Sequence, residues 1–218
     1  MALNAVTVLG VLAFGWPAGN VFVLFWVENA VIGAWSVVRI LTARGTGGGG
    51  RTTIKINGRR TNAGPGALAL FFCFHYGLFC LVHAVFTGYV AYTLGVDPTF
   101  LFLGLPIVLI MVRYTVETVT VWFGAGQRDV VSPAQAMAQP YPRIVVLHVT
   151  VLIAFAVVLH GQTQAAGSTG GGSLAQLPLV SWLDDRLGQN VWLVLLLIIF
   201  KTVADVWTTS RATRIRPA

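Results

Sequence analysis

The chain has 218 residues, 56% of them hydrophobic and only 10% charged, with 14 Lys and Arg against 7 Asp and Glu for a net charge of +7. A chain this apolar cannot be solvated as a soluble domain, which excludes soluble enzymes and binding modules and points to an integral membrane protein. At roughly 20 residues per span there is room for one membrane domain over residues 1–218, of about six helices, and none for a second globular domain.

The opening "MALNAVTVLGVLAF" lacks the basic region and the small-residue cleavage site of a signal peptide, so a short first span is expected at about residues 3–14. "GWPAGN" (15–20) turns the chain into a second span at 21–41. Residues 42–65 form a basic, glycine-rich loop in which "TTIKINGRRT" fits a hairpin around Asn57-Gly58. Spans at 66–93 and 99–123 flank the tight turn "LGVDP", and Ser132-Pro133 fits the start of a short interfacial helix before a fifth span at 143–160. Residues 161–189 read as a flexible and interfacial loop, and a sixth span at 190–209 closes an all-α, polytopic helix bundle. Cys73 and Cys80 lie about 10 Å apart along one helix, beyond disulfide reach.

Lysine and arginine beside the spans set orientation, because such residues stay on the cytoplasmic side. Arg39, Arg44, Arg51, Lys55, Arg59, Arg60, Arg128, Arg143, Arg211, Arg214 and Arg216 fall on one side, against Arg186 on the other. Both termini are therefore expected in the cytoplasm. The same bias accounts for the net charge, so the expected partners are the lipid bilayer and anionic headgroups at the 42–65 loop, with no nucleic acid. Trp16, Trp122, Trp182 and Trp192 fit an aromatic belt.

Ionisable groups inside spans are costly, and each is a site hypothesis. They are Glu28, His75, His83, Arg113, Glu117, His148, Lys201 and Asp205. Arg113 with Glu117 and Lys201 with Asp205 stand at i,i+4, as self-neutralising pairs or as a polar track. Glu28 has no basic residue within a turn, since Arg39 lies about 16 Å along the helix; it is either protonated or paired with another helix. Asn29 beside it can donate and accept hydrogen bonds.

His75 and His83 are about 80° and about 12 Å apart on a regular helix, so one metal ion cannot take both unless the helix breaks at Gly77. Taking the span ends as level groups His83 with Glu28, and His75 with His148 and an acidic residue such as Glu117 or Asp205. Metal candidates are accordingly His75, His148, His83 and Glu28, with zinc or another transition metal as the ion; haem between His75 and His148 lacks a specific motif such as Cys-x-x-Cys-His. The bland reading of each histidine is a neutral imidazole hydrogen-bonded to a neighbouring helix. No nucleophile elbow and no phosphate-binding glycine loop is present.

The stretches "FWVENAVIG", "FFCFHYGLFCLVHAVF", "YPRIVVLH" and "KTVADVW" resemble a prokaryotic multi-pass membrane family known as domain of unknown function 6498. The resemblance implies a multi-pass protein of the inner (plasma) membrane, supplies no activity, and carries over Glu28, Asn29, His75, Tyr76, Gly77, His83, Arg143, His148, Lys201 and Asp205 as positions of interest. The expectation is a membrane protein with an intramembrane polar site for a metal ion, a proton or a small ligand. The alternatives are a transporter or proton/ion channel using the same charges, and a structural or assembly protein whose polar residues only pack helices. If the chain is an enzyme, it is a metal-dependent, membrane-embedded hydrolase or oxidoreductase.

Overall fold

A computed structural model describes residues 10, 15–46, 53–56, 59–62, 64–165, 198, 199 and 202. The described residues are helical apart from one hairpin: α1 (Ala18–Thr42), β1 (Thr53–Ile56), β2 (Arg59–Asn62), α2 (Pro65–Leu94), α3 (Leu105–Glu117), α4 (Gln127–Val130), α5 (Pro133–Ala138) and α6 (Tyr141–Ala165). Two π-helical turns, Phe100–Gly104 and Thr118–Gly124, extend α3 at both ends. Four runs are long and apolar enough to cross a membrane: Ala18–Thr42, Pro65–Leu94, Phe100–Gly124 and Pro133–Ala156. They correspond to the expected spans at 21–41, 66–93, 99–123 and 143–160. The expected first and sixth spans lie outside the described residues except for Gly10, Ile198, Ile199 and Thr202, which are helical. The expected loop at 161–189 also lies outside them, except that α6 runs on to Ala165.

Local signals in the sequence produce the connections. β1 and β2 pair antiparallel with Ile56 opposite Arg59, the register that the Asn57-Gly58 turn calls for. Ser132 caps α5 in a reciprocal box: its hydroxyl accepts from the Gln135 N–H at 3.3 Å, and Gln135 Oε1 accepts from the Ser132 N–H at 2.9 Å. Gly95, at φ 83°, ends α2 in the left-handed region that a side chain disfavours.

α2 displays the inverse of a soluble helix. Its buried stripe carries Phe72, Tyr76, Cys80, His83, Thr87 and Val90, while Leu70 and Phe74 on the outer face are 74% and 75% exposed, with Leu81, Val85 and Tyr92 beside them. Tyr76, His83 and Thr87 go inward while large aliphatic side chains go outward, which is the arrangement expected of a helix whose outer solvent is hydrocarbon. The helix continues unbroken through Gly77, so the break that would have let His75 and His83 share an ion is not made.

The chain divides into two compact units, and the long helices contribute segments to both. Unit 1 comprises Met1–Trp26, His83–Leu105 and Pro142–Ala218. Its core is Val21, Phe22 and Phe25 of α1, Val90 of α2, Leu147, Val151 and Ala154 of α6, and Ile198. Gly19 lets α1 approach α2 so closely that a Cβ there would overlap the carbonyl oxygens of Ala91 and Gly95. The buried Asn20 side chain then closes the turn after α2, donating to the Asp97 carbonyl at 2.9 Å and accepting from the Asp97 N–H at 2.9 Å.

Unit 2 comprises Val27–Val82 and Pro106–Tyr141. In it the Tyr76 ring lies against Gly33, and the Tyr76 hydroxyl donates to the Asn29 carbonyl at 3.1 Å. Trp122 is fully buried and its indole N–H donates to Thr42 Oγ1 at 2.8 Å. This corrects its expected place in an aromatic belt, because the hydrogen-bond partner for the indole is inside the fold. The end of α1 is pinned to α4 by the Arg44 N–H donating to the Arg128 carbonyl at 2.7 Å.

Gly19→Ala is expected to cost about 1–3 kcal/mol, because the added methyl meets backbone that cannot yield. Gly77→Ala, where a Cβ meets nothing within 4 Å, is expected to leave stability unchanged or slightly raised. Thermal unfolding of the two detergent-purified variants checks the contrast, and equal melting would remove the close approach at Gly19.

Candidate functional site

In unit 2 the charges of α1 and α3 interlock. Glu28 is 3% exposed; its Oε1 accepts from the Tyr114 hydroxyl at 2.7 Å and pairs with Arg113 Nη1 at 3.8 Å. Farther along, Arg39 Nη2 reaches Glu117 Oε1 at 3.5 Å and donates to Thr118 Oγ1 at 3.0 Å, with its guanidinium 5.9 Å from the Trp122 ring centre. Thr42 and Trp122 complete the row. The partners advance together along both helices, so the α1 and α3 segments run parallel.

The expected Arg113–Glu117 pair is therefore corrected: each member bonds to α1 instead. Magnitudes explain the choice. An exposed i,i+4 pair is worth only about 0.2–0.5 kcal/mol, whereas a buried carboxylate without a partner costs several kcal/mol. Arg113 is better used against Glu28, and Arg39 then meets Glu117. The expectation that Glu28 pairs with another helix is met by Arg113 and Tyr114.

His75, also in unit 2, is half-buried among rings: it stacks on Phe71 at 5.5 Å and 8°, and meets Phe79 at 5.2 Å and Tyr141 at 5.8 Å. These contacts place it in an aromatic cluster, and the expected grouping of His75 with His148 is corrected by where His148 goes.

In unit 1, His83 is 1% exposed and its Nε2 lies 2.7 Å from Nδ1 of His148, with the rings at 67° to one another. An N···N contact this short requires one ring to donate N–H and the other to present a bare nitrogen, so the two imidazoles hold one shared proton between them. The physical reason for this partner is an offset between parallel helices. His83 lies 18 residues after Pro65 at the start of α2, and His148 only seven after Tyr141 at the start of α6 (83 − 65 and 148 − 141). Tyr141 accordingly sits beside Phe72 and Tyr76, two to three turns into α2, rather than level with its first residue. Beyond the pair, Phe86 and Tyr89 pack on Phe155 at 5.0 and 5.3 Å.

Among the described residues no group of three or more His, Cys, Asp or Glu comes together in a way that could hold a metal ion. The metal sets expected from His75, His148, His83 and Glu28 are not assembled there: the histidine pair offers two nitrogens already bonded to one another. Arg143 is half-buried in the first turn of α6. Lys201 and Asp205 lie outside the described residues. Sequence reasoning missed Tyr114, Thr118 and Asn20; polar side chains inside or at the ends of apolar runs were the available signal.

Helices of spanning length that turn apolar side chains outward and close paired polar side chains inward define the class of this chain. It belongs to the family of unknown function DUF6498, whose model matches residues 1–218. No curated protein and no solved structure matches it.

Tyr114→Phe is expected to cost about 1.5–3 kcal/mol, the worth of a hydrogen bond to a charged group. Arg113→Met is expected to cost more than the double variant Glu28→Leu with Arg113→Met, in which no charge is left buried alone. Unfolding of the single and double variants in one detergent checks the order; a double variant less stable than Arg113→Met would contradict the pairing.

Proposed function

We propose that this chain is an integral membrane protein of the plasma membrane that carries protons through its interior, with His83 and His148 as the relay. The observation that carries the reading is the hydrogen bond of 2.7 Å between two imidazoles, one of them almost fully buried, on helices whose outer faces are apolar. Six spans, cytoplasmic termini and a basic 42–65 loop facing anionic headgroups complete the proposal. The Glu28–Arg113 and Arg39–Glu117 pairs serve as a clamp between helices, since each charge is matched.

Histidine suits the task because its ordinary pKa lies near neutral pH and its two ring nitrogens can take up and release protons at different places. When one ring donates N–H to the other, the donor's second nitrogen is bare and the acceptor's second nitrogen carries N–H. A proton taken up on the donor's outer nitrogen moves the shared proton across the bond, and the acceptor releases its own outer proton. One proton enters and one leaves, with both tautomers exchanged; the reverse transfer or ring rotation resets the pair.

Reconstituted vesicles with an internal pH dye test this under an imposed potassium diffusion potential. The wild type is expected to acidify or alkalinise the lumen faster than empty vesicles, and His83→Phe and His148→Phe to lose roughly ten-fold or more of that rate while remaining folded. Flux equal to that of empty vesicles would sink the relay and favour a structural role for the pair.

A further inference from the structure

The polar rings on the inner stripe of α2 and on α3 are hydrogen-bonded, and two others nearby are not. The hydroxyls of Tyr76 and Tyr114 donate at 3.1 and 2.7 Å, and His83 meets His148 at 2.7 Å. In unit 2, by contrast, neither His75 nor the Tyr141 hydroxyl makes a hydrogen bond among the described residues. The partners of both are rings: Phe71, Phe79 and Tyr141 for His75, and Phe72, His75 and Tyr76 for Tyr141. Stacking leaves the imidazole nitrogens and the phenol oxygen with their hydrogen-bonding capacity unused.

Their depth makes that costly. Exposed apolar side chains flank His75 on both sides along α2, with Leu70, Phe71 and Phe74 before it and Leu78, Leu81 and Val82 after it. The half-buried imidazole therefore opens within the apolar band and not at its edge. Tyr141, also half-buried, is held at the same level, its ring centre 5.8 Å from that of His75 and 6.2 and 6.4 Å from those of Phe72 and Tyr76. Hydrocarbon supplies no hydrogen bonds, so polar groups facing it are retained where something else bonds to them.

The surroundings narrow what that is. A phospholipid headgroup stays at the membrane surface, and the band already extends at least about 7 Å beyond His75, as far as Leu70. The ligand must therefore dissolve in the hydrocarbon and still carry oxygen. The walls around the two polar tips are ring faces, with Phe71 lying within 8° of parallel to His75, and flat walls suit a flat ring.

We infer that His75 and Tyr141 bind the head ring of a lipid-soluble quinone. The Tyr141 hydroxyl and the imidazole N–H donate to carbonyl oxygen of the quinone, and the bare imidazole nitrogen accepts from a hydroxyl when the ligand is in its quinol form. Phe71 and Phe79 pack against the ring. This site goes beyond the proton relay and uses neither of its histidines.

The test uses the full chain in phosphatidylcholine nanodiscs and a short-tailed azidobenzoquinone as a photolabel. Labelling is expected to saturate and to map to residues 71–79 and to Tyr141. His75→Phe and Tyr141→Phe keep a ring at each position, and each is expected to raise the half-saturating concentration roughly three- to ten-fold. Unlabelled decylubiquinone is expected to compete, whereas a diacylglycerol, which has ester carbonyls and no ring, is not. In the wild type the His75 ring ¹⁵N signals are expected to shift when decylubiquinone is added. Labelling that never saturates, half-saturation unchanged in both variants, equal competition by the diacylglycerol, or unmoved His75 signals overturn the inference. None of these readouts depends on proton flux, so failure of the relay leaves this site standing, and the reverse holds too.

Discussion

A carboxylate in the middle of an apolar helix needs a partner, and Glu28 organises unit 2 around that need. Its own helix offers none within reach, so the solution is found on α3, where Tyr114 donates a hydrogen bond and Arg113 supplies opposite charge. Committing Arg113 to Glu28 leaves Glu117 to Arg39, and Arg39 in turn is steadied by Thr118 and the face of Trp122. One buried charge thereby fixes the register of the α1 and α3 segments within unit 2. Removing hydrophobic driving force between helices, as hydrocarbon does, makes such polar contacts and close packing the means of specifying which faces meet.

Close packing is visible where side chains are smallest. Gly19 admits the backbone of α2, and Gly33 accepts the Tyr76 ring. Gly77, by contrast, faces open space on the outer side of α2 and does not break the helix there. The wider π-helical turn that begins at Thr118 serves the same packing, burying both Thr118 and Trp122 against α1 residues. Turns of this kind insert a residue into a helix and re-aim its face, often beside polar groups that matter.

Much of the architecture was legible because it rests on local rules. Runs of apolar residues marked the four helices, Asn57-Gly58 marked the hairpin, and Ser132-Pro133 marked the capped start of α5. The polar residues in apolar runs were also visible, Glu28, His83 and His148 among them. Their pairing was not, because it depends on axial offset between helices, which no periodicity encodes. Level span ends would place His148 with His75; the observed offset brings it to His83. Likewise i,i+4 spacing favoured Arg113 with Glu117, and only the facing helix reveals that both have better partners. Tyr114 passed unnoticed since a tyrosine in a span is ordinarily an amphipathic filler, and its hydroxyl matters here only because Glu28 is opposite.

The proposed relay depends on two imidazoles sharing one proton across a short bond, while the charged row in unit 2 is made of ion pairs between helices. These roles separate cleanly: the carboxylates and guanidiniums are each matched to an opposite charge, whereas in the proposed relay the histidine pair takes up a proton at the donor ring's outer nitrogen and releases one from the acceptor's. The most direct measurement is the scalar coupling between ¹⁵N nuclei across the hydrogen bond in histidine-labelled protein in lipid. A coupling between Nε2 of His83 and Nδ1 of His148, lost when either residue is replaced, is the predicted result. Two histidines whose ring nitrogens are uncoupled and titrate independently would contradict it.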